Sequence, residues 1–467
     1  MTHNKGKFLL RLGLLALLLA AVRLTTAPPA YAQTNRYVDP AGVCNSLTPC
    51  YITISTAVAA SVPGDAIFVF PGNYLESVDL STMATPGNIT LITVNAAGTP
   101  TPGTAAVNPP AGPAFYNGVQ PFPGNVTING FSVTSPDVGG IILNVNSDVT
   151  IANVTANNNV NGSGVVAASA TGNVTVTNST ADNNFQPGFL LVAAGNITIN
   201  SSNADGNGMD GFFIVPALAS VVTINGSSAN GNVGNGFDIF GLISGGDVII
   251  RSCSADGNRG NGFGIFVGGE VTISDSNADR NAADGFGIAT PSNVMVTNST
   301  ASGNTDDGFG IIADFLGVGG DVTITRSTAD GNSVNGINLE ALVAGKNFLV
   351  YCNNILRNTA GLFLGSDVNV DAEHNWWGDP SGPNHPNNPG GTGNPIRDGA
   401  SGGFGTVDFA PWLSGPFEIT PPCGAPPIPV GGFIVPVSKL ELLAPWLGLV
   451  ALIVVAVAVA IRRRRSA

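Results

Sequence analysis

The chain of 467 residues is 43% hydrophobic but only 10% charged, and its 30 acidic side chains outnumber 17 basic ones. Setting aside four basic residues near the N-terminus and the arginines Arg462 to Arg465 leaves 9 basic against 30 acidic, about −21 for the body between them. Such a surplus excludes the nucleic-acid backbone as a partner, and Asn, Thr, Ser and Gly take over the surface, as suits a hydroxylated ligand or simply a soluble ladder-rich solenoid.

Lys5, Lys7 and Arg11 precede an uninterrupted apolar run from Leu12 to Val22, 11 residues long. That is too short to span a bilayer, and Ala30-Tyr31-Ala32 fits a signal-peptidase site, so residues 1–32 are expected to be a signal peptide. Beyond it, Cys44 and Cys50 are close enough to join in a small loop, which an oxidising exterior permits. Ile54 to Ala60 is expected to form a short helix, and Pro63-Gly64 turns the chain into a strand at Ala66–Phe70. A further strand follows at Ile89–Val94, and the Pro- and Gly-rich stretch Asn95–Gln120 reads as a protruding loop.

From Val149 onward one pattern is written repeatedly. Copies start at Val149, Val174, Ile197, Val222, Val248, Val271, Val294 and Val322, so the steps run from 23 to 28 residues. Such self-similarity signals a stacked architecture. Apolar residues alternate at the start of each copy, the period of a strand. Small residues follow at a corner, then an invariant Asn (Asn159, Asn184, Asn207, Asn232, Asn258, Asn281, Asn304, Asn332), then Gly before Phe (Phe189, Phe212, Phe237, Phe263, Phe286, Phe309) in a second short strand. Strands without intervening amphipathic helices fit a parallel β-helix. About a dozen coils at about 4.8 Å each would make a rod of roughly 55 Å. The phenylalanines would form an internal column and the asparagines a ladder at a bend.

This grammar resembles the pectin lyase-like right-handed β-helix superfamily, in its repetitive surface-protein branch. The expected fold class is therefore all-β: a single right-handed parallel β-helix with an N-terminal cap, preceded by the signal peptide and followed by one transmembrane helix. In such a family the Tyr37–Tyr74 region, with Pro71-Gly72-Asn73-Tyr74 after the first strand, resembles a cap and first coil. An uncapped end would expose apolar side chains and unpaired strand edges. Near the other end, Asn375-Trp376-Trp377-Gly378 and the closing Pro411-Trp412-Leu413 resemble a terminal module of surface β-helix proteins. Trp376 and Trp377 would plug the core there or offer a stacking platform to a sugar.

Pro416 to Pro436 reads as an extended spacer. It leads to Leu442–Ile461, twenty residues without a charge followed by Arg462–Arg465, a length and basic flank that place a membrane helix with its tail inside. The layout also resembles C-terminal sorting signals. The expected division is a leader 1–32, cap 33–63, coils 64–368, terminal module 369–415, spacer 416–441, membrane helix 442–461 and cytoplasmic tail 462–467. The β-helix then stands on the outer face of the cell envelope, as a monomer.

The expected role is structural or adhesive with a polysaccharide as partner; the alternative is a polysaccharide lyase, epimerase or hydrolase. Enzymes of the superfamily are expected to need an Asp cluster holding calcium beside an Arg or Lys base, or paired carboxylates with His and Lys. Asn304-Thr305-Asp306-Asp307-Gly308 resembles a polygalacturonase signature, yet repeat grammar accounts for it, and no catalytic residue is assigned. The coils carry no histidine. Stacked acids nominate Asp279, Asp284, Asp307 and Asp330 as calcium ligands, with solvated turns as the plainer reading. A groove holding carboxylates beside Arg251, Arg280 or Arg326 would favour the enzyme. Cys253 replaces a ladder serine and reads as a buried thiol, with Cys352 and Cys423 unassigned.

Overall fold

The computed structural model describes residues 33–423 apart from 119, 218–219, 242–245, 316–317 and 419–422. The leader, the expected membrane helix and the tail lie outside the described residues, as does the spacer beyond Cys423. No helix among the described residues is long and apolar enough to cross a membrane.

The alternating apolar residues put every second side chain inside, so each coil can seal itself only against the coils above and below it. The result is an all-β parallel solenoid of about 12 turns. The copy starts form the spine of a 16-stranded sheet, and they align without slip from Val149 opposite Val174 to Val322 opposite Phe348. The Phe strands form a 13-stranded sheet on a second face. A third face is held by short strands and single bridges such as Asn203 to Ser228 and Ser228 to Ser254.

Six phenylalanines run through the core as one file. Phe189, Phe212, Phe237, Phe263, Phe286 and Phe309 are fully buried, and successive rings lie 4.9 to 5.1 Å apart, tilted by no more than 5°. Strand spacing dictates that distance, and the near-parallel stack is its consequence. The asparagine ladder is equally continuous. Each Nδ2 donates to the next Oδ1, from Asn159 to Asn184 (2.7 Å) through Asn258 to Asn281 (3.1 Å) to Asn358 and Asn394 (3.1 Å). The same Oδ1 also accepts a backbone N–H, as Asn184 Oδ1 does from Asn159, so one side chain satisfies groups in two coils.

The ends are closed. At the N-terminus the helix Ile54–Ala59 lays Ile54, Ala57 and Val58 into the core, and the Glu76 carboxylate accepts from the N–H groups of Ile54 and Ser55 at its start, where helix amides lack partners. The cap also contributes strand Asn35–Val38 to the long sheet, paired in parallel with Ala66–Val69. Cys44 and Cys50 are bonded, as expected.

Three expectations change. Asn95–Gln120 is not a protruding loop, because Ala105–Val107 and Phe115–Tyr116 join the third and second faces and bury Ala105, Val107 and Phe115. Its Pro and Gly residues serve turns inside an ordinary coil. Second, Cys352 and Cys423 form a disulfide across 71 residues of sequence. Third, the first residues of the spacer fold back on the last coils: Asn354 receives the Phe417 N–H and donates to Glu418. Cys253 is a buried free thiol, as anticipated, and burial pushes its pKa up to about 11.

Candidate functional site

Between the inward Phe and Ile of each second-face strand one residue points outward. Along the rod these are Phe213, Asp238, Gly264, Gly287, Gly310, Asn338 and Phe363, in direct register. Three consecutive glycines therefore leave a trough between Asp238 and Asn338. None of the three has a left-handed backbone, so their need is for space. A Cβ on Gly264 would lie 2.7 Å from Asn235 Nδ2, one on Gly287 would lie 3.0 Å from Asp284 Oδ2, and one on Gly310 would lie 3.1 Å from the same oxygen.

One wall is the turn column Asp210, Asn235, Asn261, Asp284, Asp307 and Asn335. Each Oδ1 accepts the backbone N–H of its successor, at 2.7 to 3.0 Å. Asn235 and Asn261 perform that task without charge. The carboxylates at 284 and 307 therefore bring a negative charge that the ladder does not require. The opposite wall is apolar until its last rung: Phe240, Phe266, Ala289 and Ile312 stand in register, and Glu340 follows Ile312. The Phe240 and Phe266 rings stack 5.3 Å apart, and Phe240 is 50% exposed. The groove encloses about 440 Å³, and its lining holds Asp238, Asp284, Asp306, Asp307 and Glu340.

Burial is the main force on Asp238, Asp284 and Asp307. It pushes Asp238 up to about 6, aided by the charge of Asp210 and opposed by a hydrogen bond from Asn235. Asp284 also rises to about 6 through burial, with the Asp307 N–H opposing and the charges of Asp307 and Asp306 adding. Asp307 is raised by burial against hydrogen bonds from Asn338 and Asn335.

Of the four expected calcium ligands, the structure brings together Asp284 and Asp307, joined by Asp306; their carboxylate oxygens lie within 4.8 Å of one another. Asp279 and Asp330 do not join them. They occupy a different corner, where Asp279 accepts the Ser302 N–H at 2.8 Å and Asp330 pairs with Arg357. Asp306 carries no separate signal in the sequence, because Asn304 to Gly308 fits the repeat. Trp377 is fully buried and Trp376 is 9% exposed. Trp377 packs into the main core, whereas Trp376 is not among the residues of that core. Among the described residues, the lining contains no Lys, Arg or His, and Arg251, Arg280 and Arg326 lie outside it.

The raised carboxyls make stability depend on pH in an unusual direction. Asp182, Asp210, Asp238, Asp279, Asp284 and Asp307 all hold protons more tightly folded than unfolded, burial being the first cause in each. Between the ordinary carboxylate range and these raised values the native state binds more protons. Stability therefore falls as pH rises through that window. Partial exposure moderates each contribution. The thermal midpoint followed by circular dichroism is expected to be higher near pH 4.5 than near pH 7.5. The reverse order would mean that these groups ionise natively as they do in the unfolded chain.

The family model for "Right handed beta helix region" matches residues 115–242 and 240–376, together more than half of the chain. Among solved structures, the A-module of the Azotobacter vinelandii mannuronan C-5 epimerase AlgE4 is similar at 14% identity, over 65% of this chain and 87% of that one, with a TM-score of 0.44. The AlgE6 A-module from the same organism gives 14% identity, 78% and 92% coverage and a TM-score of 0.45. Pectate lyase Pel9A gives 16% identity, 81% and 80% coverage and a TM-score of 0.34. No curated protein matches the sequence.

Proposed function

The chain belongs to the right-handed β-helix family, and from that premise we propose that it is a glycan-binding protein whose ligand lies over Gly264, Gly287 and Gly310. The observation that carries the reading is the trough: consecutive glycines between a hydrogen-bonding wall and an apolar wall. A sugar presents the matching pair of surfaces, hydroxyl edges and a C–H face that packs on aromatic or aliphatic side chains. The apolar run at 12–22 and the uncharged stretch at 442–461 support a location at the cell surface, with an adhesive role.

Binding in the groove is tested by filling it. Gly287→Leu places a side chain against Asp284 and Asn261 and is expected to weaken any glycan identified on an array by more than about 100-fold while the circular dichroism spectrum stays unchanged. Undiminished binding would place the ligand elsewhere.

A hydrolytic reading rests on a separate observation. Asp284, with its pKa near 6, has a carboxylate oxygen within 4.8 Å of one on exposed Asp306. Two carboxyl groups so placed are the equipment of glycoside hydrolysis, and retaining enzymes keep the pair about 5 Å apart. Base-driven elimination finds no cationic side chain in the lining. Release of reducing ends, abolished by Asp284→Asn, would replace binding with turnover.

Calcium fits the same acids only in part. Asp284, Asp306 and Asp307 would hold it, but calcium takes about six to eight oxygens, and both oxygens of Asp307 already accept from Asn335 or Asn338. Water would have to fill most of the shell. Calorimetric titration is expected to give a dissociation constant no tighter than about 10⁻⁴ M.

A further inference from the structure

Resting on the reading of the trough as a glycan site, we infer that its ligand class is the amine-bearing sugar polymer, and that polyuronates are rejected. Among the described residues, the lining carries five carboxylates, Asp238, Asp284, Asp306, Asp307 and Glu340, and no cationic side chain. A polyanion entering it would bring like charges together in a partly desolvated groove, where repulsion is strongest. A polycation would meet opposite charge along the whole length.

The hydrogen-bonding inventory points the same way. Carboxylates only accept. The Nδ2 of Asn338 already donates to Asp307 Oδ2 at 2.7 Å, while its Oδ1 is buried without a donor. Asp284 engages one oxygen with the Asp307 N–H and holds the other over Gly287 and Gly310. The trough is thus rich in acceptors, and its complement is rich in donors; an ammonium supplies three N–H groups and a charge. The opposite wall adds a second attraction for cations, since Phe266, stacked on Phe240, lines the same groove as the carboxylates and an aromatic face draws an ammonium within about 6 Å.

Length follows from the stack. Asp238 and Asn338 lie four coils apart in the register that passes through positions 264, 287 and 310, and Glu340 shares the strand of Asn338, a span of about 19 Å. That accommodates a short oligosaccharide rather than one sugar.

The experiment is calorimetry on the full chain in detergent, using three probes. They are a glucosamine tetramer with free amines, its fully N-acetylated counterpart and an oligogalacturonate of equal length. The amine tetramer is expected to bind at least about 30-fold more tightly than the acetylated one, with affinity falling as salt rises. Asp238→Asn and Glu340→Gln should each reduce that preference by roughly 5-fold without unfolding the coil. The uronate should not bind. Equal affinity for the two amino-sugar probes, lost in Gly287→Leu, would overturn the amine preference and leave the groove standing. Uronate binding that requires calcium would overturn it in favour of a bridging cation. Binding of the amine tetramer undisturbed by Gly287→Leu would overturn both readings, as would failure of every probe.

Discussion

Phe263→Ala is expected to destabilise the coil by about 3–5 kcal/mol. The ring is fully buried between Phe237, 5.0 Å away, and Phe286, 4.9 Å away, both tilted by no more than 3°. Its removal leaves two aromatic faces without contact, each pair being worth about 0.5–1.5 kcal/mol beyond its burial. The neighbours cannot close the void. Their backbones are fixed in register by the strands of adjacent coils, Phe237 opposite Phe263 and Phe263 opposite Phe286, so the cavity persists at full cost. Phe240→Ala makes the control, because the Phe240 ring is half exposed in the groove wall and truncation there should cost no more than about 1 kcal/mol. Urea titration of both variants checks the contrast. Since each coil touches only its neighbours, hydrogen exchange should quicken most in the coils around 237, 263 and 286. A similar loss from both substitutions would mean that the internal file is not what the stack stands on.

The inward half of this molecule was legible because it repeats. Val174, Ile197 and Val222 land opposite one another, the six phenylalanines stack, and the asparagines bond, since each inward position has one environment repeated coil after coil. The outward half has no such constraint. Asp238, Gly264, Gly287, Gly310 and Asn338 hold one place in successive copies, but the residue type changes along the row, so the repeat does not tell that its glycines leave a trough between a carboxylate and an amide. Asp307 illustrates the difficulty: its Oδ1 serves the ladder, accepting from Asn335, so repeat grammar correctly explains its position while concealing that Asp306 and Asp284 converge on it. Likewise the Cys352–Cys423 bond joins a coil to a Pro-rich stretch 71 residues away, and no spacing rule reaches that far. Asn95–Gln120 misled for the opposite reason. Its prolines and glycines mark turns, but the short alternation at Ala105 and Val107 was enough for a sheet that neighbouring coils complete.

Asn258→Leu probes the ladder without opening a cavity, because leucine keeps the γ-branched shape but is larger, so overpacking adds to the loss of the bonds. The Oδ1 of Asn258 accepts from the N–H of Asn232 at 2.9 Å and from its Nδ2 at 3.1 Å. Its Nδ2 donates to Asn281 Oδ1 at 3.1 Å and to Ala229 O at 3.0 Å. Leucine removes all four bonds at a position 1% exposed. Each buried group left without a partner costs about 1–3 kcal/mol, so the loss should reach about 3–6 kcal/mol, as large as that of the aromatic truncation although the apolar content rises. Asn281 Oδ1 retains the backbone N–H of residue 258 as one donor, which keeps the estimate below the full sum. Asn258→Asp sharpens the test. Its oxygen can still accept from Asn232, but an ionised carboxylate faces Asn281 Oδ1 across a desolvated gap, so its deficit should shrink as the pH falls and the acid becomes a donor. A leucine variant within about 1 kcal/mol of the parent would mean that the amide ladder decorates the bend without tying one coil to the next.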